Sequence, residues 1–136
     1  MPLSTEDALV YLMVVTASSD AGISDRELGL IGGLVRRTPA LQGFPPERLA
    51  DVANACIDAI NGAGGLDGVL DLAVAALPVR LHDTAYALAV EVAVVDLQLP
   101  QEELRLLEMI RDRLATDRLV TAAIEAAARA RMRKLQ

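Results

Sequence analysis

Aromatic side chains are nearly missing from this chain: Tyr11, Phe44 and Tyr86 are the whole set in 136 residues, and tryptophan is absent. Proteins that hold single-stranded nucleic acid stack bases on aromatic faces, so that class lacks its usual platform. Basic charge is also short. Thirteen Lys and Arg against 19 Asp and Glu leave a net charge of -6, a field that repels phosphate backbones and anionic lipid. The one cysteine, Cys56, excludes an internal disulfide and is expected to be buried and inert in the apolar segment Ala55-Cys56-Ile57. Long apolar runs are missing too. Ala85 to Val95 is broken by Glu91 and falls short of the roughly 20 residues a membrane crossing needs. Ala8 to Val15 follows Glu6 and Asp7, where a signal peptide would have basic residues. No nucleic-acid partner and no membrane insertion are expected, and the expected location is cytoplasmic.

What is present is a globular balance, 53% hydrophobic and 24% charged, in a chain long enough to build one core. Residues 1–136 read as a single domain. Strand signals are nearly absent, and helix starts and stops recur, which predicts an all-α bundle of seven helices. The first runs from Thr5 to Ser19 behind Ser4, with Asp7 at the capping-box position. The second opens on the capping box Ser24-Asp25-Arg26-Glu27 and ends at Arg36-Arg37, before Thr38-Pro39. The third starts at Pro46-Glu47 and stops at Asn61-Gly62. The remaining four are read as Leu66 to Leu77, His82 to Val95, Pro100 to Leu114, and Thr116, as N-cap, to Lys134.

Two of these helices, the first and the fifth, are apolar around nearly their whole circumference. Such a helix belongs in the middle of a soluble domain, which makes them the expected core pair. Helix two carries Gly29, Gly32 and Gly33, each about 1 kcal/mol less favourable than Ala in a helix. A close approach by a neighbouring helix is the expected reason, with a hinge as the alternative.

The two core helices end alike. The segment from Ser19 to Leu28 lies without a gap on the segment from Val95 to Leu104, pairing Asp20 with Asp96, Ile23 with Leu99, Ser24 with Pro100, Glu27 with Glu103 and Leu28 with Leu104. Each half is thus expected to be a helix, a tight acidic turn and a second helix, and the halves to be pseudo-repeats related by an approximate two-fold. This doubled pattern, Asp-x-x-(Ile/Leu)-(Ser/Pro)-x-x-Glu-Leu within seven helices, resembles the TerB-like family, named for a tellurite-resistance protein and also found attached to some DnaJ-type co-chaperones. Family members carry Ala-Asp-Gly before the apolar residue; the first copy here reads Ser-Asp-Ala-Gly, and the second has Leu97-Gln98 and no glycine. The resemblance implies an all-helical fold, no enzymatic activity, an association with metal or envelope stress, and acidic turns proposed to bind a metal ion.

Read on their own chemistry, Asp20 and Glu27 lie at the end of one helix and in the first turn of the next. Carboxylates brought together there, with carbonyls and waters, suit a hard cation such as Ca2+ or Mg2+. The competing reading is local: Asp20 holds the turn and Glu27 completes the capping box. Ala21-Gly22 lets the first turn take a left-handed conformation and aim its carbonyls, so Asp20 and Glu27 are preferred over Asp96 and Glu103, with Glu102 facing solvent. An EF-hand is excluded, since its loop needs about twelve residues with oxygen ligands at alternate positions.

Glu91, inside an apolar helix, needs a partner, either a helix end, an arginine or an ion. His82 is the sole histidine and has no second ligand near it in sequence, so a hydrogen-bonded structural role is expected. An enzyme would rest on His82 and Glu91 alone and is not expected. Gly62-Ala63-Gly64-Gly65 lacks both the preceding strand and the Gly-Lys-Ser/Thr ending of a phosphate loop. The basic run Arg129, Arg131, Arg133 and Lys134 suits the end of a helix dipole. A protein partner is expected, and a homodimer is left open.

Overall fold

Seven α-helices make up the computed structural model, which describes residues 3–18, 22–95 and 101–135, without the side chains of 101–104. They are α1 (Thr5–Ala17), α2 (Asp25–Arg37), α3 (Leu49–Ile60), α4 (Gly65–Ala75), α5 (His82–Val95), α6 (Gln101–Arg113) and α7 (Arg118–Arg131). Short 3-10 turns at Pro39–Leu41, Pro46–Arg48 and Val79–Leu81 lead between them. The described residues contain no strand beyond an isolated bridge at Gly22. No helix among them is long and apolar enough to cross a membrane.

The helix starts follow local chemistry. Ser4 accepts the Asp7 N–H at 3.1 Å, and the box at α2 is complete: Glu27 N–H donates to Ser24 Oγ at 3.1 Å and Ser24 N–H to Glu27 Oε1 at 2.9 Å. Three expectations are corrected. Asp7 does not close a box at α1 but turns both carboxylate oxygens to Arg48, 41 positions away, at 3.2 and 3.1 Å. The N-cap of α7 is Asp117, which accepts the Val120 N–H at 2.9 Å, and not Thr116, whose buried hydroxyl has no partner among the described residues. A carboxylate is the stronger acceptor for a free helix amide, so it displaces the neighbouring threonine. Helix α3 begins at Leu49 because Pro46 opens a 3-10 turn instead. Differences of one to three residues at the ends of α4 and α7 are ordinary for helix termini, and the expected end of α1 at Ser19 and start of α6 at Pro100 lie outside the described residues.

Helix α1 is buried without interruption from Ala8 to Ala17. It lies among α2, α3, α4, α5 and α6, and α5 in turn supports α6 and α7. These two are the most buried helices, as their all-round apolar composition predicts. Fully buried Leu9, Leu12 and Met13 of α1, Leu70 of α4 and Ile110 of α6 join one continuous apolar cluster, and each such side chain contributes about 1.5–3 kcal/mol.

Of the glycines of α2, only Gly32 meets another element, Leu49 of α3, which lies 3.5 Å from where a β-carbon would stand. Gly29 faces open space, so close packing does not explain it. Gly22, ahead of α2, has φ +98°, the left-handed backbone expected of the first turn.

Candidate functional site

The ends of α1 and α5 and the start of α2 meet at one corner of the bundle. A shallow cleft of about 40 Å³ opens there, lined by Thr16 and Ala17 of α1, Arg26, Glu27 and Leu30 of α2, and Val92 and Val95 of α5. The floor is apolar, and Thr16 turns its hydroxyl away to the Leu12 carbonyl at 2.8 Å. Glu27 lines the cleft, and one of its carboxylate oxygens is held by the capping box. The cleft therefore gathers residues that come shortly before both acidic segments in the sequence, Ala17 three positions before Asp20 and Val95 directly before Asp96. Asp20 and Asp96 lie outside the described residues, as do the side chains of Glu102 and Glu103. Among the described residues no group of three or more His, Cys, Asp or Glu side chains is gathered for a metal ion.

His82 and Glu91 are not brought together. They sit nine residues apart on α5, about 14 Å along the axis, and each is occupied locally. The His82 ring is buried; Ala115 N–H donates to Nδ1 at 2.8 Å and Nε2 faces the Leu77 carbonyl at 3.2 Å. Those partners require the neutral ring with its proton on Nε2. Glu91 forms an ion pair with Arg131 of α7. The basic run at the chain's end thus does more than complement a dipole: one of its arginines neutralises the carboxylate that interrupts α5.

A second polar cluster has no signal in the sequence. The Tyr86 hydroxyl donates to Glu125 Oε2, and Arg111 of α6 approaches the same oxygen at 3.3 Å. Burial, and then the Glu125 carboxylate, push the Tyr86 phenol well above its ordinary range. Arg113 bridges Asp71 at 2.9 Å and Asp67 at 2.7 Å, tying α6 to α4. Arg48 adds a contact over the Phe44 ring, 5.4 Å from its centre, to its pair with Asp7. Cys56 is buried, donates weakly to the Tyr11 carbonyl at 3.7 Å, and burial pushes its thiol up to about 12.

The chain matches no protein-family model, no curated protein and no solved structure. The geometry of the cleft and the polar clusters is therefore the ground for any functional reading.

Proposed function

We propose that this chain is a non-enzymatic binding module of the TerB-like kind. In this reading it serves tellurite, metal or general stress resistance in the cytoplasm through contacts with a protein partner, and holds a divalent cation such as Ca2+ or Mg2+ weakly at an acidic turn. The supporting observation is the corner cleft, where Glu27 stands beside the ends of both core helices, Ala17 three positions before Asp20 and Val95 directly before Asp96 in the sequence. Gly22 adds to it, because a left-handed residue can turn carbonyl oxygens toward a cation. The non-enzymatic part rests on His82 and Glu91, each of which is held by a structural partner and far from the other.

The second reading is a helical interaction or co-chaperone-type scaffold with no ion site. It is favoured by the capping box, which already occupies one oxygen of Glu27. Titration calorimetry with Ca2+, Mg2+, Mn2+ and Zn2+ separates the two. Saturable heat supports the ion-binding module, and its absence with all four metals leaves the scaffold.

A further inference from the structure

Helix α7 differs from the rest of the bundle in how it is held. Its fully buried residues are Thr121 and Ala128, with Ile124 and Met132 partly buried. Leu119, Ala122, Ala123, Ala126, Ala127 and Ala130 are exposed, so more apolar side chains face water than face the core. Among the described residues its substantial helix packing is along α5. Two carboxylate contacts supplement that thin apolar seam: Glu125 with Tyr86 and Arg111, and Glu91 with Arg131. Both contacts advance together along the two helices, so α7 runs beside α5 in the same direction.

The approach to α7 is fixed more firmly than the helix itself. Leu114 is buried, and His82 holds the next amide, that of Ala115. Thr116, whose buried hydroxyl finds no partner among the described residues, marks the point where this anchoring ends.

From this we infer that α7 is a releasable arm, pivoting at residues 116–117 and latched to the bundle by Glu125 and Glu91. Release separates α7 from α5 while α1 keeps α5 folded, because α1 and α5 belong to the continuous apolar cluster, to which α7 contributes Ala128 as its one fully buried apolar residue. Regions with few buried apolar contacts open at a lower free energy than the core. Opening uncovers the Tyr86 hydroxyl and the α5 surface beside it.

Hydrogen–deuterium exchange on the full chain tests this. In the parent protein the amides of α7 should exchange at least about a hundredfold faster than those of α1. Glu125→Gln and Glu91→Gln should each speed exchange in α7 by roughly tenfold, the effect of losing one charge-assisted contact, and leave α1 unchanged. Arg113→Gln, which cuts the ties from α6 to α4, should leave the α7-to-α1 ratio as it was. Should a latch variant fail to fold, the parent in about 0.5 M salt replaces it, since screening weakens half-exposed pairs; α7 exchange should rise there and α1 exchange should not. Equal exchange of α7 and α1 in the parent, an equal rise in both helices, or no rise in α7 would each overturn the inference.

Discussion

His82 and Ala115 stand 33 positions apart, yet the Ala115 N–H donates to His82 Nδ1 at 2.8 Å while the other ring nitrogen meets the Leu77 carbonyl. One side chain thereby satisfies backbone groups on both sides of the bundle's end, from the connection before α5 and the connection after α6. Replacing it strands both groups in a site where the ring itself is 6% exposed.

His82→Leu should therefore lower stability by about 1–3 kcal/mol, the penalty for a buried Leu77 carbonyl and a part-buried Ala115 amide left without their partner. His82→Asn, which restores an acceptor near Nδ1, should recover part of it. Urea denaturation followed by circular dichroism measures both. A loss under about 0.5 kcal/mol for the leucine variant would mean that water replaces the ring.

Glycine substitutions should divide by backbone geometry. Gly29→Ala in α2 and Gly68→Ala in α4 add methyl groups that meet nothing within 4 Å, and each should raise stability by about 0.5–1 kcal/mol. Gly22→Ala should lower it by about 1 kcal/mol or more, since φ +98° suits no side chain. Thermal melts of the three variants give the comparison.

Alkaline pH should weaken the fold in a definite window. Burial pushes the Cys56 thiol up from an ordinary value of 9.0 to about 12. The neutral thiol thus favours the folded state fully below pH 9, and that contribution is lost as pH rises toward 12. Tyr11 and Tyr86, both raised by burial, act in the same direction above pH 10. The urea midpoint should stay level to about pH 8.5 and then fall. Cys56→Ala should start lower, having lost a packed side chain, and show a shallower fall between pH 9 and 11.

If a cation binds at the first acidic turn, millimolar Ca2+, Mg2+ or Mn2+ should raise the melting temperature of the parent protein. The double variant Asp20→Asn with Glu27→Gln should abolish the rise while remaining folded, because glutamine can still complete the capping box on Ser24. A parent protein whose melting ignores all three ions returns the first turn to a cap and a turn.

The all-α architecture, the two central helices and the capping box at Ser24 were determined by the sequence alone. Each is written in neighbouring residues: all-round apolar composition in α1 and α5, and a serine and a glutamate three positions apart whose hydrogen bonds are both found. Of the first acidic segment, the left-handed Gly22 was legible in the sequence, Glu27 is found lining the cleft, and Asp20 lies outside the described residues. Tertiary structure decided the rest. Asp7 stood at a capping-box position and became the partner of Arg48; Glu91 needed a partner, open among a helix end, an arginine and an ion, and packing of α7 along α5 supplied Arg131. Tyr86 carried no polar signal until α7 set Glu125 against its hydroxyl. Local spacing specifies hydrogen bonds within one helical turn, whereas long-range pairs depend on the register of one helix against another, and that register is set by packing of the whole core.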